Sequence, residues 1–247
     1  MSDELKKNYL QQVFLEAGMP LTDRQASAFL RYYEMLVETN RVMNLTAITE
    51  FEEVAVKHFA DSSMLFSPKI REKLSALGIP EEPSVIDVGT GAGFPGLPLA
   101  ILCPGAKVYL LDALRKRIDF LRDVVSTLDL SNVRMEHGRA EEGMKLRESF
   151  DLTVSRAVSD LSVLSEYCLP YTRVGGVFAA YKSADSDEEL DRAGNAIRIL
   201  GGEVGEVCDF TLPASGEPRR IILIRKVRET PGKYPRKAGK PAKSPLK

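Results

Sequence analysis

Residues 85–96 read Val85-Ile86-Asp87-Val88-Gly89-Thr90-Gly91-Ala92-Gly93-Phe94-Pro95-Gly96. Three β-formers surround Asp87 and stop at a run of alternating glycines. Phe94 to Cys103 then reads as an apolar helix with proline only in its first turn. The order is strand, glycine loop, helix. Glycines at 89, 91 and 93 let the chain turn at positive φ and bring backbone N–H groups against a ligand with no Cβ in between. Pro95 and Pro98 are tolerated because the first amides of a helix have no intrahelical acceptor to lose. The stretch predicts the opening βα unit of a nucleotide-type cofactor site.

The next strand narrows the choice of cofactor. Lys107 to Leu111 is β-rich and ends in Asp112. An acid at the carboxyl end of the neighbouring parallel strand is placed to accept hydrogen bonds from ribose hydroxyls. Dinucleotide folds carry G-x-G-x-x-G, whose last glycine admits close helix packing. Here the spacing is G-x-G-x-G, with Asp87 two residues before the first glycine, which looks like the S-adenosylmethionine loop of Rossmann-like methyltransferases. A dinucleotide site, as in an NAD-dependent oxidoreductase, and a purely structural glycine turn are the alternatives.

The chain has 247 residues, 44% hydrophobic and 28% charged, the balance of a globular protein with an ample core. Its three cysteines are far apart and lack C-x-x-C spacing, so neither a disulfide framework nor a metal site is indicated. No signal peptide and no membrane-length apolar run are visible, and a reducing cytoplasm fits. The formal charge of −1 is uneven: residues 226–247 hold eight basic residues and one acid. Their Pro-, Gly- and Lys-rich composition predicts an extended, mobile end, either a solubilising tail or a clamp on RNA phosphates.

Ahead of the glycine loop, Leu10, Val13, Phe14 and Ala17 mark one helix, and a Thr22-x-x-Gln25 capping box opens a second, with Asn40 as its stop. Asn44 and Thr46 occupy a break. A third helix is expected from about Glu52 to Leu65, with His58 and Asp61 on one face, and Gly78 to Pro83 is a turn-rich linker. Strands and helices then alternate: Val133–Glu136, Phe150–Ser155 ending in Arg156, and Val177–Tyr181 ending in Lys182. Two final strands, near Glu203–Phe210 and Arg220–Lys226, are expected to be antiparallel because only a turn separates them. The fold class is α/β, Rossmann-like, with a mostly parallel doubly wound sheet and an N-terminal helical extension. The expected divisions are a helical region at 1–80, a cofactor-binding domain at 81–228 and the basic tail at 229–247. In such sheets Asp87, Asp112, Arg156 and Lys182 converge at the strands' carboxyl ends.

Asn44-Leu-Thr46, His58-Phe-Ala-Asp-Ser62, Asp87 to Gly96, Leu110 to Arg117, Arg139-Ala-Glu141, Ser155-Arg-Ala-Val158 and Tyr234-Pro-Arg-Lys237 together resemble a bacterial family. It is the small-subunit ribosomal RNA guanine-N7 methyltransferase family, also called glucose-inhibited division protein B. The resemblance implies that Gly89 and Phe94 line an S-adenosylmethionine pocket, that Ala140 and Glu141 border the adenine, and that Arg156 lies beside the cofactor near the target base. It implies 16S ribosomal RNA, or the small subunit, as partner. Ala92 stands where many relatives carry proline. The cofactor-binding candidates are therefore Asp87, Gly89, Gly91, Gly93, Phe94, Asp112, Ala140, Glu141 and Arg156, with Arg156 also the catalytic candidate. Asn44, His58, Arg139, Lys182, Arg236 and Lys237 are RNA-contact candidates.

Guanine N7 carries a free lone pair and no proton, so its methylation needs no general base. Alignment is most of the work, and in principle can lower the barrier by roughly 7–11 kcal/mol. The sequence agrees: it lacks the N/D-P-P-Y type loop of adenine amino-methyltransferases after the fourth strand, and no cysteine stands there to attack a cytosine. A ribosome-assembly factor that binds cofactor without using it is a further alternative.

Overall fold

The computed structural model describes residues 1–156 and 159–246. Ala157 and Val158, the end of the expected Ser155–Val158 motif, and Lys247 lie outside them. Helix α1 (Asp3–Glu16) buries Leu10, Val13 and Phe14. Helix α2 (Asp23–Met43) opens at the Thr22 box, where Gln25 N donates to Thr22 Oγ1 and Thr22 N donates to Gln25 Oε1. The helix runs past Asn40, its expected stop. Asn40 instead holds the following loop: its Oδ1 accepts from Leu45 N and Thr46 N, and its Nδ2 donates to Thr46 O. The true cap is Asn44, left-handed at φ 48°.

The expected third helix is a composite of α3 (Phe51–Glu53), a π-helical segment Val54–Ala60, α4 (Asp61–Ser63) and a 3-10 turn Met64–Phe66. π-turns re-aim side chains and concentrate at functional sites. Helix α5 (Pro68–Ala76) and the Gly78–Pro83 turn then lead into the sheet.

From there the order is β1 (Ser84–Val88), α6 (Gly96–Leu102), β2 (Lys107–Asp112), α7 (Arg115–Thr127), β3 (Val133–His137), β4 (Phe150–Arg156), α8 (Leu161–Cys168), β5 (Thr172–Ser183), α9 (Asp187–Ile199), β6 (Gly202–Thr211), β7 (Pro218–Lys226) and α10 (Lys240–Lys243). A 3-10 turn, Met144–Leu146, precedes β4. The sheet order is β3-β2-β1-β4-β5-β7-β6. The first five strands are parallel, and β7 pairs antiparallel with both β5 and β6. The strand order reverses between β1 and β4, which opens a crevice at their carboxyl ends.

Both faces of the sheet are covered, so the central strands are buried almost throughout, with Asp87, Thr153 and Ser155 among their buried residues. One core cluster joins Leu10, Phe14, Phe29 and Phe59 of the N-terminal helices to Val85, Leu97 and Leu110. The other packs Leu161, Leu164 and Ile197 against Ile86, Phe178 and Ile224.

The chain after β7 differs from the expected extended tail. Tyr234 is buried in the second cluster. Arg147 Nη1 donates to Tyr234 O (2.8 Å), and Arg236 is paired with the buried Glu166. Composition counts the sparse apolar residues here but not the interior acids waiting for a cation.

Candidate active site

The glycine loop leaves β1 over the crevice. Gly89, Gly91 and Gly93 hold φ of 74°, 62° and 106°. At Gly93 a Cβ would come within 2.6 Å of both Leu97 Cδ1 and Tyr32 Oη, so the loop is seated by close approach as well as by its backbone conformation. Asp87 shapes this loop from beneath and does not line the crevice. Its buried Oδ2 accepts from Thr90 Oγ1 (2.6 Å) and Gly96 N (2.8 Å). Burial pushes its carboxyl up to about 7, against the opposing pull of those two bonds and of Arg156. Its Oδ1 has no partner among the described residues, and a proton there leaves Oδ2 free to accept both bonds.

Asp112, at the end of β2, faces the same loop from the side. Its Oδ2 accepts from Gly91 N (2.9 Å) and its Oδ1 from Leu114 N (2.8 Å), with Arg117 at 3.4 Å. Tyr32 of α2 donates to Ala92 O and stacks on Phe94 with ring centroids 5.5 Å apart. The N-terminal helices thus hold the cofactor loop directly. Sequence reading did not single out Tyr32 and gave no sign of its hydroxyl bond.

Phe94 is buried at the loop–helix junction. His58 stacks on its ring at 4.6 Å, and the Arg156 guanidinium lies 5.1 Å from its centroid. Arg156, a charge at the inner end of β4, takes its partners from the π-helical segment and α4. Nη1 donates to Lys57 O (2.9 Å) and Asp61 Oδ2 (3.0 Å), and Nη2 lies 3.2 Å from His58 Nδ1. Since a guanidinium only donates, His58 Nδ1 is the acceptor, and its Nε2–H points to Thr46 Oγ1 at 2.8 Å. Burial, reinforced by the neighbouring guanidinium, lowers the imidazole to about 3. Asp61 is buried too, and its carboxyl is raised by desolvation despite Arg156 and Arg219. His58 and Asp61, expected on one helix face, therefore form the seat of Arg156.

Three cavities run side by side along the strand ends. One of about 430 Å³ is bounded by Gly89, Gly91, Phe94, Asp112 and Arg156. A second, of about 280 Å³, shares Gly89 and Asp112 and reaches Arg139, Ala140 and Glu141. The third, of about 480 Å³, shares His58 and Arg156 and is lined by Lys57, Lys182 and Arg219. These volumes suit small ligands. A larger cavity, about 780 Å³, lies at the opposite end of the sheet between Gly18, Pro68, Arg71 and Pro83, away from every candidate residue.

The RNA-contact candidates divide. Arg139 and Lys237 are exposed, and Asn44 is exposed in its capping role. Lys182 is committed to Glu189 Oε1 and Ser159 O (2.6 Å), and Arg236 to Glu166, so neither presents a free charge. Arg219, which the sequence did not single out, lines the third cavity and lies 3.8 Å from Asp61. Its only sequence signal was a basic pair, Arg219-Arg220, opening an apolar strand.

A nucleoside ligand fits the first two cavities. A Cβ built on Gly91 meets nothing within 4 Å, so backbone alone faces the space there. Asp112 supplies a carboxylate, and Ala140 is small. Among the described residues no group of three or more His, Cys, Asp or Glu is placed to hold a metal, and no helix is long and apolar enough to cross a membrane.

Comparison with known proteins agrees with this geometry. The family model for rRNA small subunit methyltransferase G matches residues 25–216. Ribosomal RNA small subunit methyltransferase G of Acetivibrio thermocellus is 48% identical over 232 residues, covering 93% of this chain and 92% of that protein. The protein of the same name from Alkaliphilus oremlandii is 46% identical over 244 residues, covering 98% and 99%. Among solved structures, M. jannaschii TYW2 in complex with AdoMet is similar in fold, with a TM-score of 0.50 at 15% identity, covering 64% of this chain and 76% of that one.

Proposed function

The chain belongs to the rRNA small subunit methyltransferase G family, and from that premise we propose that it transfers a methyl group from S-adenosylmethionine to N7 of a guanine in 16S ribosomal RNA, in the cytoplasm where the small subunit is assembled. The observation that carries this reading is the match over residues 25–216, which spans the glycine loop, Asp112 and Arg156.

When bound, S-adenosylmethionine supplies an electrophilic methyl on a sulfonium. In this reading the backbone of Gly89, Gly91 and Gly93 and the face of Phe94 hold it. Asp112 accepts from the ribose hydroxyls, using lone pairs beyond those given to Gly91 N and Leu114 N. Ala140 and Glu141 border the adenine, and Asp87 acts one layer below by fixing the loop.

The third cavity takes the target nucleotide. The imidazole of His58 is a poor base, because both its nitrogens are engaged and burial, with Arg156 beside it, lowers its proton affinity. N7 needs none. What the reaction does need is a purine held in line with water excluded. Arg156, fixed by Lys57 O, Asp61 and His58, has three N–H groups used and others left to stack on or bond the base. Positive charge leaves the sulfonium as it arrives on the purine, so Arg156 serves to position, not to stabilise developing charge. Arg139 and Lys237 meet phosphates around the rim, while Arg219 is held by Glu217 (2.8 Å).

The test is transfer of labelled methyl to small subunits, and to their naked RNA, from cells lacking this protein, with the nucleoside identified by mass spectrometry. Labelled 7-methylguanosine is expected. Cofactor binding with no transfer to either substrate would favour the assembly-factor reading. Competition by NAD for the cofactor site would favour the oxidoreductase.

A further inference from the structure

We propose that residues 230–242 form a strap that walls the adenosine end of the cofactor crevice, with Glu141, Glu166 and Arg236 as its positioning residues. The inference rests on the reading of that crevice as the S-adenosylmethionine site. Three observations meet in it.

The first is an interior acid that, among the described residues, the strap satisfies. Glu166 sits in α8 with no exposed surface. Arg236 Nε donates to its Oε1 and Oε2 (2.9 and 3.1 Å), Arg236 Nη2 to Oε2 (2.5 Å), and the Arg236 backbone N to Oε1 (2.8 Å). A buried carboxylate with such a set of donors is stable, whereas one stripped of its cation is not. Detaching the strap therefore leaves a charge in the core.

The second is the strap's root. Lys226, wholly buried, donates to Thr230 Oγ1 (2.7 Å), and Glu148 Oε1 accepts from Thr230 N (2.7 Å). Arg147 Nη2 donates to Thr230 O, and Tyr234 is buried beyond it. The segment thus leaves β7 along one fixed path.

The third is where that path ends. Gly239 N donates to Glu141 Oε1 (2.9 Å), so the acid expected to border the adenine spends one oxygen on the strap. Gly239 and Ala242 then line the same cavity as Val88, Gly138 and Ala140. The strap is a wall of the crevice itself. A ligand at the adenosine end touches it, and a detached strap leaves that end open to water.

The experiment is titration of S-adenosylhomocysteine into the full chain and its Arg236→Ala, Glu141→Ala and Asp112→Ala variants, paired with amide hydrogen exchange of residues 236–243 in the unsubstituted protein. Arg236→Ala is expected to raise Kd about tenfold and Glu141→Ala severalfold. Exchange in 236–243 is expected to slow when S-adenosylhomocysteine is added. Should Arg236→Ala fail to fold, the exchange result decides. A Kd within twofold of the parent in both strap variants, or exchange unaffected by saturating ligand, overturns the strap. If instead Asp112→Ala binds as tightly as the parent, or the parent does not bind at all, the crevice reading fails and the strap with it.

Discussion

Replacing His58 by glutamine should remove one defined contribution to the protein's acid sensitivity. Folded, the imidazole is lowered to about 3 from an ordinary 6.5, by burial first and by Arg156 second. Above pH 6.5 it is neutral in both the folded and unfolded chain and costs nothing. As pH falls through 6.5 the unfolded chain takes up a proton that the folded chain refuses, so stability drops until the folded value is reached near 3. Between pH 8 and pH 5 that loss is about 2 kcal/mol, roughly a thirtyfold change in the folding equilibrium. Glutamine offers an oxygen to Arg156 Nη2 and an amide to Thr46 Oγ1, and does not titrate. Urea unfolding at both pH values should show the parent losing about 2 kcal/mol more than His58→Gln. The chain has two histidines, so the Hε1 proton resonances resolve the cause directly, with His137→Gln assigning the second signal. A His58 resonance titrating between pH 6 and 7, or equal losses in the two proteins, would refute the reasoning.

Gly93→Ala places a Cβ against Leu97 and Tyr32 at a φ of 106°; it should cost on the order of 2–3 kcal/mol in thermal unfolding and weaken S-adenosylhomocysteine binding in titration. Arg156→Lys keeps the charge and loses the planar fork that joins Lys57 O, Asp61 and His58. Its single-turnover methylation rate should fall about a hundredfold, and an unchanged rate would remove Arg156 from substrate positioning. Lys237→Gln should lower the slope of log affinity against log salt for single-stranded target RNA by about 0.7; an unchanged slope would mean that Lys237 meets no phosphate.

Local rules carried the sequence reading wherever the signal was local. Alternation of strand and helix gives the parallel order, and the short turn between Thr211 and Pro218 leaves β6 and β7 no option but to run antiparallel. The capping box at Thr22 fixes the start of α2. The end of α2 was misplaced because Asn40 spends its amide on the loop ahead rather than on its own helix, a choice that depends on where that loop lies. The π-helical turn at Val54–Ala60 has no periodic signature, and its Lys57 carbonyl accepts from Arg156, on a strand far along the chain.

The tail is the instructive failure, because its evidence lay elsewhere in the sequence. Glu166 is the only charge in Leu161–Cys168, Asp61 interrupts the apolar run around Phe59 and Leu65, and Lys226 closes an apolar strand. A charge inside an apolar element must find an opposite charge or dense hydrogen bonding, since the interior will not hold it alone. Asp61 finds Arg156, Lys226 finds Glu148 with Thr230, and Glu166 finds Arg236. Two of these three pairings involve the chain beyond residue 229, and the third seats Arg156 between two cavities of the crevice. Composition assigned the tail to solvent by asking what it could bury. The core was asking which segment would neutralise its acids, and a basic segment with Tyr234 and Arg236 two residues apart answers that demand.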